Sequence, residues 1–224
     1  MVDEQKQSYR ERWGVLATWQ SAVFYRLRHW LGLRIYGIYA RPLALAAGPD
    51  PVMPGFSLRL FDNRDADQLV ALAGSPDLEL PEPLVRGALA KGDVCEAILC
   101  GDELVSYCWS AFTPTHDEEG VYVGFGPSFR YGYKSFTLPE FRGLHLLRTF
   151  TPIRDRYCVT NRGRTHTIAF IALENRSSIR AAQATGYERV GIAGYLRRGS
   201  IFWPFGTCGA RTRGFRFFLP DQRV

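Results

Sequence analysis

The chain has 224 residues, 46% of them hydrophobic and 22% charged, which excludes a disordered protein and allows one sizeable core or a domain with an extension. Lysine and arginine outnumber aspartate and glutamate by 28 to 22, and this excess of +6 favours anionic partners such as CoA, nucleotides, nucleic acid or a lipid surface without choosing among them. The 5 cysteines (Cys95, Cys100, Cys108, Cys158, Cys208) lack a C-x-x-C pair or a neighbouring histidine pair, which speaks against a disulfide framework or zinc site and for a reducing, cytoplasmic setting.

Met1 to Lys6 is polar and acidic, unlike the opening of a secretory signal. Tyr9 to Leu31 carries Trp13, Leu16, Trp19, Val23, Phe24, Leu27, Trp30 and Leu31 at helical spacing, with arginines between. Its uncharged run, Trp13 to Tyr25, is 13 residues and too short to span a bilayer. Such a helix either packs on the core or lies on an anionic membrane, where tryptophan and arginine suit the boundary. Leu33 to Tyr39 alternates as a strand, and the following stretch, with Pro42, Gly48, Pro49, Pro51 and Pro54, reads as a connector. Residues 1–53 are therefore expected to form a helix/strand extension and linker, and residues 54–224 the main domain.

Phe56 to Phe61 alternates as a strand, Asp65 to Leu72 follows as a helix with acidic residues in its first turn, and Leu84 to Lys91 is a second helix stopped by Gly92. Cys95 to Leu99 and Leu104 to Phe112 are apolar runs joined by Cys100-Gly101-Asp102-Glu103, a hairpin signal. His116 beside Asp117, Glu118 and Glu119 reads either as a proton-transfer group or as a solvated loop. Residues 121–132 mix Gly124, Gly126 and Gly132 with Tyr122, Phe125, Phe129 and Tyr131, too glycine-rich for a plain central strand and suited to the wall of a pocket.

From Tyr131 to Tyr187 the plan is strand, loop, helix, twice over. The first strand stops at Pro139 and turns through Arg142-Gly143 into a helical pattern reaching Cys158, which Pro152 must kink or interrupt. Thr167 to Leu173 is the second strand, and Glu174-Asn175-Arg176-Ser177-Ser178 leads into a helix, Ile179 to Thr185, closed by Gly186. Two such turns aim two helix starts, with unpaired N–H groups and positive dipole ends, at one sheet edge, which suits phosphates. Beyond Tyr187, Arg189 to Leu196 and Gly214 to Leu219 are strand-like. The arginines and aromatics among them read either as a last hairpin with solvated arginines or as a surface for nucleic acid or lipid headgroups.

Pro139-Glu140-Phe141-Arg142-Gly143, followed by Asn175-Arg176-Ser177-Ser178-Ile179 and Gly186-Tyr187, resembles the core of the GNAT superfamily of N-acetyltransferases over roughly residues 56–195. The order strand, two helices, hairpin is also the family's. The resemblance implies an α+β (α/β/α layered) fold: a mixed, mostly antiparallel sheet with a splayed parallel strand pair, flanked by helices, to which the N-terminal extension is added. It implies an N-acyltransferase using acetyl-CoA or another acyl-CoA and a small amine-bearing acceptor such as an amino sugar, with neither metal nor nucleic acid. A homodimer and peripheral membrane contact through the N-terminal helix are compatible with it, as is a fold that has lost catalysis and serves as a binding module.

Carried over position by position, the resemblance assigns the backbone of Phe136, Thr137 and Leu138 to the pantetheine and thioester. It assigns the turn Arg142, Gly143, Leu144, His145, Leu146 and Leu147 to the pyrophosphate, and Asn175 with Ser178 to the pantetheine arm. His116, Glu118 and Glu119 are the candidates for removing the acceptor's proton. Three positions depart from the family: His145 stands where a glycine is expected, Leu147 where glycine or alanine is expected, and Ala182 where many members carry a tyrosine acting as general acid.

Overall fold

In the computed structural model of the protein, the described residues are Val23, Arg26, 28–45, 50–117 and 120–222. Elements appear in the order β1 Leu33–Pro42, β2 Phe56–Phe61, α1 Ala66–Leu72, α2 Glu82–Ala90, β3 Val94–Cys100, β4 Glu103–Ala111, β5 Thr115–His116, β6 Tyr122–Gly124 and β7 Phe129–Thr137. They continue as α3 Leu146–Thr149, α4 Thr151–Arg162, β8 His166–Ala172, α5 Arg176–Ala184, β9 Glu188–Arg198, β10 Ile201–Gly206, α6 Cys208–Arg211 and β11 Arg216–Phe218. Strand neighbours in the large sheet run β10-β9-β1-β8-β7-β4-β3-β2, and β11-β6-β5 form a second sheet. Pairing is antiparallel for β10–β9, β2–β3, β3–β4 and β4–β7 and parallel for β7–β8. Among the described residues this is a mixed, mostly antiparallel sheet with a parallel pair, β7–β8, and flanking helices, an α+β architecture as expected.

Two compact units are distinguished by their internal contacts. The central unit comprises Ala40–Thr115 and Phe125–Ala169; the terminal unit comprises the residues up to Tyr39, His116–Gly124 and those from Phe170 on. In the central unit, Phe61, Leu69, Val85, Leu89, Ile98, Val105, Tyr107 and Trp109 form a continuous buried core that Leu138, Leu146 and Phe150 join. The alternation of β2 and the apolar stripe of α2 supply its two sides, and the hairpin β3–β4, buried along nearly its whole length, lies within it. The short 3₁₀ turn Asn63–Asp65 leading into α1 is capped by Asp62, whose side chain accepts from Arg64 N while Asp65 reaches back to Asp62 N, a capping box.

Charge is also buried in the central unit. Glu96 on β3, 2% exposed, takes Arg130 Nη1 of β7 at 3.2 Å and Arg154 Nη1 of α4 at 3.3 Å, and accepts from Ser110 Oγ of β4. Asp155, 1% exposed, holds Arg41 in a two-pronged pair at 2.6 and 2.9 Å, with Arg154 Nε at 3.7 Å from it. These carboxylates thereby tie β1, β3 and β7 to α4.

In the terminal unit, an aromatic cluster does the work of the core. Phe170 meets Tyr36, Phe215 and Phe217 at ring separations of 4.6, 6.2 and 5.3 Å, and Tyr195 meets Phe202 and Phe217 at 5.3 and 5.2 Å. Burial pushes the Tyr36 phenol up to about 12, with Asp117 adding to the effect.

Several expectations are refined. The helical pattern after Leu144 is two helices, because the chain breaks at Phe150 and Pro152 then sits in the first turn of α4, where its missing N–H costs nothing. The strand β10 was not anticipated. Most of the aromatic N-terminal helix falls outside the described residues; Val23, Arg26 and Arg28–Leu31 are helical. The segment given to an extension contributes β1 to the large sheet, between β9 and β8, so the proline-rich connector follows a strand of the sheet rather than preceding the first one. Among the described residues no helix is long and apolar enough to cross a membrane.

Candidate active site

β7 has two unlike edges. Along one it stays paired with β4 as far as Thr137, whereas β8 pairs with it only over Phe129, Arg130 and Tyr131. From Gly132 to Thr137 the second edge has no strand partner among the described residues, so part of its backbone is left to bind something else. Two steps along β4, Tyr107 to Trp109, match three along β7, Phe136 to Tyr133, which marks a β-bulge. Lys134 lies in it with φ +43°, a left-handed conformation uncommon for a residue with a side chain and typical of places where strain serves a site.

Alternation along the strand sorts the carried-over backbone groups. Leu138 N donates to Val105 O at 3.0 Å and Phe136 O accepts from Ser106 Oγ at 2.8 Å, so both residues face β4. Thr137, one residue out of phase, faces the open edge, where its carbonyl accepts from Arg142 Nε at 3.1 Å. Leu138 N–H is thus spent within the sheet, and Thr137 is the member of the trio turned outward.

The turn after β7 begins with a 3₁₀ turn, Pro139–Phe141, and reverses through Gly143 at φ +89° and His145 at φ +56°. A glycine at position 145 would adopt that conformation without penalty, whereas His145 holds it while carrying an imidazole. Its carbonyl accepts from Arg148 N and Thr149 N, both at 3.0 Å, opening α3. Arg142, Gly143, Leu144 and His145 are exposed, whereas Leu146, 2% exposed, is part of the core and Leu147 packs against it. The side chains of Leu146 and Leu147 therefore point inward, and Arg142–His145 are the part of this turn open to solvent.

Asn175 belongs to the terminal unit and caps α5: its Oδ1 accepts from Ser178 N at 3.1 Å and Ser177 Oγ at 2.9 Å. No residue of α5 is fully buried. His116 also belongs to that unit, exposed on β5 with its ring edge-on to Tyr122 at 5.4 Å. Glu118 and Glu119 lie outside the described residues. The structure thus gathers Phe136, Thr137, Leu138 and Arg142–Leu147 on one strand and turn of the central unit, and places His116, Asn175 and Ser178 in the terminal unit.

A polar cluster on β7 itself is not evident from the sequence. Tyr133 OH donates to Asp93 Oδ2 at 2.6 Å, Lys91 Nζ lies 2.7 Å from the same oxygen, and Lys91 also donates to Thr115 Oγ1 at 2.8 Å. Asp93 is 1% exposed, and its Oδ1 makes no hydrogen bond. Burial raises the Asp93 carboxyl above the usual carboxylate range, with Lys91 opposing. Burial and Asp93 push the Tyr133 phenol far up, so it stays a donor at neutral pH. Tyr131 stacks on Tyr133, ring centroids 5.5 Å apart and planes 9° from parallel, and Phe125 adjoins Tyr131 at 5.7 Å. The available signal was the i, i+2 pair Tyr131 and Tyr133 on one strand face together with an acid directly after the Gly92 helix stop.

No protein-family profile matches the chain, and no curated protein matches it. Among solved structures it is similar to the aminoglycoside acetyltransferase AAC(6')-Iy in complex with a CoA-S-monomethyl-acetylneamine bisubstrate analogue, at 15% identity over 66% of this chain and 96% of that one, TM-score 0.45. It is similar to an aminoglycoside acetyltransferase from an uncultured soil metagenomic sample in complex with sisomicin, at 8% identity over 59% and 88%, TM-score 0.45. A GNAT-family acetyltransferase from Streptococcus pneumoniae is similar at 10% identity over 68% and 98%, TM-score 0.45.

Proposed function

We propose that the chain is an acyl-CoA-dependent N-acyltransferase, with acetyl as the acyl group, acting on the amine of a small molecule or sugar. The observation that carries this reading is the edge of β7 left without a strand from Gly132 to Thr137 and followed at once by the Arg142–His145 turn. In GNAT proteins the corresponding edge holds pantetheine and polarises the thioester carbonyl, and the corresponding turn holds the pyrophosphate. Thr137, facing outward, supplies the backbone groups here; Arg142 and the exposed backbone of Gly143–His145 supply the anion site. Asn175 and Ser178 remain the candidates for the pantetheine arm.

The chemistry is a single transfer. The amine lone pair attacks the thioester carbonyl carbon, the C–S bond breaks, CoA leaves as the thiolate, and the proton lost by the amine passes by way of a base or water to that sulfur, giving the thiol. A neutral amine reacts without a dedicated base, and a positioned one contributes about 10²–10⁴-fold. His116, Glu118 and Glu119 are candidates for it, and Tyr133 backed by Asp93 is a further one, because Tyr133 stands on β7 with its OH on that buried carboxylate. The buried thiols of Cys95, Cys108 and Cys158 are free, and burial pushes the latter two up to about 11, so they are inert and fit a reducing cytoplasm.

Calorimetric titration with acetyl-CoA, followed by a thiol-release assay over a panel of amino sugars, amino acids and polyamines, tests the reading. Saturable heat with acetyl-CoA and amine-dependent thiol release are expected; absence of heat at millimolar acetyl-CoA overturns it.

A further inference from the structure

The charge of this protein is concentrated in one place. From Arg189 to Pro220 the sequence holds six arginines and no aspartate or glutamate, so the remaining residues carry 22 basic and 22 acidic side chains and the whole formal excess of +6 lies in this stretch. The structure folds it into the hairpin β9–β10, α6 and β11 of the terminal unit.

The same hairpin exposes its apolar face. Ile201, Trp203 and Phe205 alternate along β10 and are 59%, 71% and 37% exposed, while their neighbour Phe202 turns inward to Tyr195. Trp30 at 78% and Leu31 at 44% lie just before Gly32, whose carbonyl accepts from Arg197 N of β9 at 3.0 Å. The register sets Arg198 opposite Ile201, on the exposed face, whereas Arg197 stands opposite Phe202 on the inward side. Arg211 and Arg216 together with Phe205 and Phe218 line a cleft of about 270 Å³.

Among the described residues β10 is the terminal strand of its sheet, and it carries Pro204. A proline on an edge strand removes a donor and blunts strand addition, which argues against a second copy or a peptide pairing along that edge. An aliphatic residue such as Ile201 also offers no stacking surface for a base. Tryptophan and aliphatic side chains on an exposed face, in a stretch whose charged side chains are all arginines, match the boundary of an anionic phospholipid bilayer.

We propose that the β9–β10 hairpin face, with Ile201 and Trp203 inserting and Arg198, Arg211 and Arg216 contacting headgroup phosphates, docks this protein on anionic membrane. The reading is independent of the acyltransfer proposal. The test is co-sedimentation of the full chain with phosphatidylcholine vesicles and with vesicles also containing phosphatidylglycerol. Binding only to the latter, weakening with added salt, is expected. Trp203→Ser, at an exposed site, should leave the thermal melt unchanged and weaken partitioning at least about fivefold, and Arg198→Gln should weaken it about fivefold as well. No binding to anionic vesicles overturns the proposal. So does parental binding by both hairpin variants when Trp30→Ser alone abolishes it, or a preference for a single-stranded RNA oligonucleotide over the vesicles.

Discussion

Replacing Glu96 by glutamine should destabilise the protein far more than replacing a surface acid. Glu96 is 2% exposed and its two oxygens take guanidiniums that are 1% and 7% exposed, Arg130 at 3.2 Å and Arg154 at 3.3 Å. Removing one charge from a buried ion set costs about 3–5 kcal/mol, because the charges left behind cannot recover their hydration. Asp155, with an oxygen 3.7 Å from Arg154 Nε, keeps that arginine partly compensated and points to the lower end of the range. For a chain of this length each kcal/mol moves the melting temperature by about 2–4 °C, so Glu96→Gln should melt roughly 6–20 °C lower. Scanning calorimetry beside Glu103→Gln, an exposed change in the same hairpin expected to stay within about 0.5 kcal/mol, isolates the effect. Because Arg130 lies in the paired segment of β7, the variant should also bind acetyl-CoA more weakly. A drop no larger than that of Glu103→Gln would refute the view that Glu96 is the charge partner of both arginines.

Asn175→Ala should lose about 0.5–2 kcal/mol as a broken helix cap while Asn175→Ser retains most of it, read by thermal melts; acetyl-CoA affinity falling several-fold beyond that assigns Asn175 to the pantetheine, and unchanged affinity makes it a cap alone. His145→Gly should fold at least as well as the parent, since φ +56° suits glycine, and calorimetry should find CoA affinity lowered only if the imidazole itself touches phosphate. The Asp62 carboxyl, lowered to about 2 first by the hydrogen bond from the Arg64 side chain and then by its backbone N–H, should titrate well below an ordinary carboxylate in NMR spectra. Its stabilising share is then complete above the unfolded value of 3.8 and is lost as pH falls through about 2; a midpoint near 3.8 would contradict the cap.

Elements with a clean period were legible in the sequence. Phe56–Phe61 alternates and is β2 as expected; the Gly101-Asp102 turn joins β3 and β4; Gly92 and Gly186 follow α2 and α5. β10 escaped because Ile201-Phe202-Trp203-Pro204-Phe205 has no alternation and contains a proline, which a terminal strand tolerates and a central one does not. The place of β1 in the sheet was hidden because strand pairing leaves no trace in composition, whereas the prolines after it look like a domain boundary. Glu96 and Arg130 each stand inside an apolar run, a signal of buried charge, but neither names its partner. At the site, the Pro139 stop and the Arg142-Gly143 turn were readable, and the open edge of β7 was not, since it is built of backbone groups that every residue carries. The bulge at Lys134 and the Tyr133–Asp93 contact depend on register, which only the fold supplies.

Amide hydrogen exchange of the segment from Gly132 to His145, with and without saturating acetyl-CoA, tests the central claim most directly, because it reads the backbone groups said to hold the ligand. Free, the outward amide of Thr137 and the amides of the Arg142–His145 turn should exchange fast, while Leu138, bonded to Val105 O, exchanges slowly. With acetyl-CoA bound, Thr137 and the turn should slow markedly and Leu138 should not change. Calorimetrically proven binding that leaves Thr137 and Arg142–His145 unprotected would contradict the account and move the acyl-CoA site elsewhere on the protein.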